Sequence, residues 1–258
     1  MNGARTRSIA ILALVTLALG AHGSEWGQQA QNPASPEAEE DYLRGLRYAD
    51  GDGVSRDYTE AARYYRRAAL KGYIPAQYNL AWYLENGRGV KQNLAEAAAW
   101  YRKAAEQGDA ESQNNLGTLY AAGRGVQQDD AEAVRWYGLA AKQGDLEGMT
   151  NLAGMLLKGR GVVRDLKAAF RLYREAAGSG HAAARHNLAL MYANGEGTAT
   201  DRVAAWAWFD LAAAEIDSSA TLRDRVAQDM TPGQIVEAHK LAAKQRQVFE
   251  EKRKDQGK

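Results

Sequence analysis

The stretch Gly89-Val90-Lys91-Gln92-Asn93-Leu94-Ala95-Glu96-Ala97-Ala98-Ala99-Trp100-Tyr101-Arg102-Lys103-Ala104-Ala105-Glu106-Gln107-Gly108, continuing to Asn115-Leu116-Gly117, decides the fold. Its landmarks return every 36 residues. Gly53-Val54, Gly89-Val90, Gly125-Val126 and Gly161-Val162 mark four copies without insertion, and Gly197 continues the series. Tyr65, Tyr101, Tyr137 and Tyr173 keep the same step, with Phe209 in the fifth copy. So do the alanine pairs from Ala68-Ala69 to Ala212-Ala213, the glycines Gly72 to Gly180, and the pairs Asn79-Leu80 to Asn187-Leu188. A constant step of this length signals stacked repeats, each too small to bury its own apolar face alone.

Each copy reads as two helices. Asp57, Asn93, Asp129, Asp165 and Asp201 stand where a side-chain oxygen caps a first helix. Glu60, Glu96 and Glu132, three residues on, predict a capping box that reaches back to the cap's own N–H. Ala168 and Ala204 at that position predict weaker caps in the last two copies. Ala97, Trp100, Tyr101, Ala104 and Ala105 follow the i, i+3, i+4, i+7, i+8 rhythm of an amphipathic helix. Gly108 stops it, Asp109 or Asp145 starts a second helix, and Gly123 stops that one. Nothing alternates as a strand would. The expected fold is all-α, a solenoid of stacked helical hairpins.

The columns acquire roles. Paired alanines belong where helices approach closely, and the tyrosine column fills the space between neighbours. Trp100, Trp136, Trp206 and Trp208 fall on the apolar side and are expected in the core. The Asn column is expected to bond to backbone of the adjoining loop, since a buried amide without a partner is costly.

The flanks differ. Arg5 and Arg7, the apolar run Ile9 to Leu19, and Gly20, Ala21 and Gly23 have the order of a secretory signal peptide over residues 1–23. Cleavage is expected between Gly20 and Ser24, leaving a periplasmic or secreted bacterial protein without a stable membrane span. Residues 24–36, including Trp26, read as a flexible leader. Residues 37–52 match the second half of a repeat, 53–196 hold four repeats, 197–215 a partial fifth, and 216–258 a helical cap. Within the cap, helices are expected over 219–229 and 232–253, the latter opened by Thr231-Pro232.

Composition removes several functions. The chain holds 33 Lys+Arg against 32 Asp+Glu, which argues against a dedicated nucleic-acid binder. Zero Cys excludes disulfides, thiolate metal sites and cysteine nucleophiles. His181 and His186 are five apart, off the i, i+4 spacing of a helical metal pair. No nucleophile elbow or Walker-type loop is present, and the junction glycines Gly87, Gly89, Gly123 and Gly125 read as helix stops. No catalytic, cofactor or metal residue is nominated.

The Gly89–Gly117 unit closely resembles the Sel1-like repeat, a relative of the tetratricopeptide repeat, and the likeness covers residues 37–215. It implies a right-handed α-solenoid whose first helices line a concave face. It also implies a non-catalytic adaptor or scaffold, of a kind often exported by bacteria and linked to signalling, envelope assembly or host contact. Some cysteine-rich relatives are credited with β-lactam chemistry, and the lack of Cys sets this chain apart from them.

One non-repeating signal remains. Arg63, Ala99, Arg135, Arg171 and Ala207 share a column of the first helices; Arg66, Arg102, Gly138, Arg174 and Asp210 share the column three residues on. These columns are neighbours on a helix surface. Arg63, Arg66, Arg102, Arg135, Arg171 and Arg174 are therefore the candidate partner-binding residues. The stripe fits an acidic protein partner, or an anionic glycan or cell-wall polymer, through the fork-shaped donor set of arginine. The bland alternative is a solvated face paired with local Glu and Asp.

Overall fold

The computed structural model describes residues 35–256, so the expectations for residues 1–34 and for Trp26 lie outside the described residues. Second helices α1 (Pro36–Asp50), α3 (Ile74–Asn86), α5 (Ala110–Ala122), α7 (Leu146–Lys158) and α9 (Ala182–Asn194) alternate with first helices. The latter are α2 (Tyr58–Leu70), α4 (Leu94–Glu106), α6 (Asp130–Lys142), α8 (Leu166–Gly178) and α10 (Arg202–Ala212). The closing helices are α11 (Asp217–Ala227) and α12 (Pro232–Gln256), and no strand occurs among the described residues. α11 starts two residues before its expected place, and α12 runs three residues further. α1 begins at Pro36, inside the expected leader, with Ser35 as its cap. The architecture is an α-solenoid of helical hairpins, and none of its described helices is long and apolar enough to cross a membrane.

The cap residues behave as their spacing predicts, but the capping box does not form. Asp57, Asn93, Asp129, Asp165 and Asp201 accept backbone N–H groups of the first turn at 2.8–3.1 Å. Their own N–H groups donate to carbonyls of the preceding second helix, as from Asn93 to Leu84 at 2.9 Å and from Asp129 to Tyr120 at 3.0 Å. With that donor already used, Glu60, Glu96 and Glu132 turn outward. The caps at Asp165 and Asp201, where Ala replaces Glu, are no longer than the rest. A reciprocal box does close at Thr231 and Gln234, at the start of α12.

The two junction glycines do different work. Gly123 caps α5 in the left-handed region at φ 65°. Gly125 (φ +71°) is not a helix stop: a Cβ there would meet the Leu94 carbonyl carbon and oxygen at 2.3 Å. The loop backbone lies directly on the first turn of the preceding first helix, so this glycine is needed for stacking.

Packing follows the columns. Ala104, Ala140 and Ala176 are fully buried, as are Tyr101 and Leu116. Gly45 and Gly117 make room for the Tyr65 and Tyr137 rings, which a Cβ would meet at 2.6 and 2.8 Å. Trp100, Trp136, Trp206 and Trp208 are core residues. At the far end α12 covers α10, with Trp206 and Ala207 packed on Ala238 and Ala242.

Candidate interaction face

The six arginines lie on successive first helices, and the glutamates freed from capping decide their state. On α2, Arg63 donates to Glu60 of its own helix at 2.6 Å. On α6, Arg135 holds Glu132 in the same way at 3.0 Å. On α4 the corresponding residue is Ala99, which leaves Glu96 free to reach the preceding repeat. Glu96 accepts from Arg66 of α2 at 2.5 Å and from the Trp100 indole N–H at 3.3 Å. The Arg66 guanidinium holds the Glu96 carboxyl below the usual range.

The other three arginines have no carboxylate within ion-pair distance among the described residues. Arg102 on α4 donates to the Tyr120 hydroxyl of α5. Arg174 on α8 lies 5.7 Å over the Phe170 ring, and Phe170 meets Tyr192 of α9 edge-on at 5.2 Å. Burial raises the Tyr192 hydroxyl's pKa, while the Arg174 charge pulls it back. Arg171 is exposed on α8. The stripe is thus half neutralised and half available.

Two clefts open along the array, and Arg102 lines one of them. One, of about 450 Å³, is lined by Arg102, Tyr120, Gln127, Gln128 and Glu132 among others. The other, of about 320 Å³, occupies the equivalent place two repeats on and is lined by Tyr192, Thr200, Asp201 and Gln234 among others. The sequence reading missed Tyr120 and Tyr192. Their signal was an alternation in one column: Tyr48, Leu84, Tyr120, Leu156, Tyr192.

The Asn column does not bond to the adjoining loop. Burial raises the pKa values of the Tyr42 and Tyr78 hydroxyls of the preceding second helix and the Asn79 and Asn115 side chains pull them back, while Asn151 donates to Asn114 at 2.8 Å. Glutamine takes the backbone role instead. Gln113, buried, donates to the Ala105 carbonyl at 3.0 Å and accepts from Gln143 at 2.8 Å. Gln77 does the same with Ala69 and Gln107. In the first hairpin this pair becomes ionic, with Asp41 held by Lys71 and Arg67, each at 2.9 Å.

The histidines join repeats. His181 Nδ1 lies 2.9 Å from the Thr150 hydroxyl and its Nε2 3.5 Å from Glu147, whose carboxyl it holds below the usual range. His186 Nδ1 lies 2.8 Å from Ser219 of α11. No group of three or more potential ligands that could hold a metal ion occurs among the described residues.

Five consecutive segments, 42–73, 74–109, 110–145, 146–181 and 182–217, match the family model described as Sel1 repeat. The chain belongs to the Sel1 repeat family. The last four matched units begin where second helices α3, α5, α7 and α9 begin, and the first begins inside α1. Sel1 repeats generally mediate protein–protein interaction, and solenoids of this family are typically non-catalytic. Among solved structures, a protective antigen of uropathogenic Escherichia coli strains displaying an SLR fold is 34% identical, with a TM-score of 0.69. The match covers 81% of this chain but 46% of that one, so this chain spans less than half of that neighbour's length. A Sel1 repeat protein from Oxalobacter formigenes is 33% identical with a TM-score of 0.66, over 72% of this chain and 76% of that one. No curated protein matches the chain.

Proposed function

We propose that the protein is an exported, non-catalytic scaffold that holds an acidic segment of a partner protein on the arginine-bearing face of its first helices. The observation that carries this reading is the set of arginines left without carboxylates, Arg102, Arg171 and Arg174, in a stripe whose other members, Arg63, Arg66 and Arg135, are ion-paired. A stacked-repeat frame presents such a face with little ordering on binding, and its outward side chains vary without harming the fold. Export rests on the order of residues 1–23 and places the interaction in the periplasm or outside the cell.

Crosslinking in cells, followed by identification of the captured protein, tests the reading. Arg102→Glu combined with Arg171→Glu is expected to abolish capture while leaving the thermal melt in place, and added salt is expected to weaken capture of the wild type. Undiminished capture by the doubly reversed variant overturns the reading.

A further inference from the structure

The molecule contains its own template for a ligand. One repeat carries Arg66, Glu96 and Trp100; the 36-residue step gives Arg102, Glu132 and Trp136 in the next. In the first set a single carboxylate, that of Glu96, satisfies the guanidinium of the preceding repeat and the indole of its own. In the second set Arg135 has taken Glu132 away. Two consequences are visible. Arg102 is left with a tyrosine hydroxyl, and the Trp136 indole N–H, on a residue 3% exposed, has no hydrogen-bond partner. A buried donor left unpaired is rare enough to need a reason. The cleft of about 450 Å³ beside Arg102 lies within the size range of ligand sites.

We propose that the cleft at Arg102 receives one carboxylate of an acidic side chain from a partner protein, in the place that Glu96 fills one repeat earlier. This rests on the arginine-face reading and names the point of contact. The guanidinium of Arg102 offers its paired donors, the Tyr120 hydroxyl stands beside it, and Trp136, one turn on from the lining residue Glu132, carries its N–H at the register of that of Trp100. Glu132 lines the same cleft and is the internal competitor, its carboxylate held by Arg135.

Titrating the full, isotope-labelled chain with hexaglutamate, and following the Trp136 indole N–H by NMR, tests this. The resonance is assigned with Trp136→Phe. A saturable shift is expected, with affinity falling about tenfold or more in Arg102→Gln. Arg102→Lys, which keeps the charge without the fork, is expected to fall between the two. Arg135→Ala is expected to move the same resonance without peptide, because Glu132 is then free to close the site. Lys240→Gln, an exposed cation on α12 away from the arginine face, is expected to leave the shift intact. Binding of hexaglutamate with a static Trp136 signal and an unaffected Arg102→Gln variant overturns the cleft while leaving the arginine face standing. No binding of hexaglutamate overturns both. An oligouronate that moves the signal when hexaglutamate does not overturns the protein occupant.

Discussion

The first hairpin and those behind it are built on the same columns, yet they use them differently. Where the interior repeats place Ala76, Ser112 or Gly148, α1 has Glu40; where they place Leu80, Leu116 and Leu188, it has Arg44; where they place Tyr83, Leu119 and Met191, it has Arg47. The interior residues are buried, whereas Glu40 and Arg44 form an exposed ion pair at 2.5 Å. A column therefore specifies core only where a neighbouring repeat covers it. At the face that no described repeat covers, the same register carries charge, as the polar outer face of a terminal repeat does.

The junction glycines allow the comparison to be broken most severely. Gly53 and Gly125 share a column and a left-handed backbone, at φ +69° and +71°. A Cβ on Gly53 would meet the end of the Arg47 side chain at 3.3 Å, whereas on Gly125 it would meet the Leu94 carbonyl at 2.3 Å. Gly125→Ala is expected to cost about 3–5 kcal/mol, combining left-handed strain with overpacking against backbone. Gly53→Ala is expected to cost about 1–2 kcal/mol, the strain alone. Equal losses in urea melts would mean that the junction does not stack on the repeat before it.

Truncation on the leucine column gives the next largest contrast. Leu116→Ala removes a fully buried side chain and is expected to cost about 2–5 kcal/mol. Arg44→Ala, at the same register on the open face, is expected to stay within about 0.5 kcal/mol. Arg44→Leu restores the interior residue where no other described repeat covers it. It is expected to leave the melt alone but to make the chain self-associate with rising concentration in sedimentation. A strictly monomeric Arg44→Leu variant would show that this face is not what the charges protect.

Ala105→Leu tests the turn side of the hairpin more gently. Ala105 sits beside the three-residue turn that begins at Gln107, and extra volume there forces neighbouring helices apart, at about 1–3 kcal/mol. An unchanged denaturant midpoint would remove the close-packing role given to the alanine pairs.

These contrasts also explain what the sequence could tell in advance. Helices, caps and core columns were legible because a 36-residue step averages over copies, and burial imposes the same residue type each time. The fate of the glutamates was not legible, since it depends on a competition. Asn93 and Asp129 spend their N–H groups on Leu84 and Tyr120, and whether Glu96 or Glu132 then reaches back turns on Ala99 or Arg135 three residues away. The same holds for the Asn column. Gln113 lies at the position that reaches the Ala105 carbonyl, whereas Asn115, two residues on, faces a different side of the helix, a distinction of about half a turn that the 36-residue step does not resolve. The candidate arginines were identified by column, but their division into paired and available members required the partners to be seen.

The smallest expected effect concerns the opposite end, where α11 stands in place of a further repeat. There His186 meets Ser219 at 2.8 Å and the Phe209 ring at 5.6 Å, whereas the repeat two steps earlier has Asn114 bonded to Asn151. The closing joint therefore contains a titratable group that the interior joint lacks. Burial holds the His186 imidazole below its ordinary value of 6.5. Between that value and the lower folded one, the unfolded chain binds a proton that the folded chain refuses, so stability falls as pH falls through this window. Above the window the contribution is flat, and below the folded value no further loss accrues from this group. Thermal melts at stepped pH are expected to show a shallow acid-side loss in the wild type that shrinks in His186→Asn, which substitutes an amide of the kind used by the interior joint. An identical pH slope in the two proteins would mean that the α9–α11 contact does not depend on the neutral ring, and that the two ends of the array differ in charge alone.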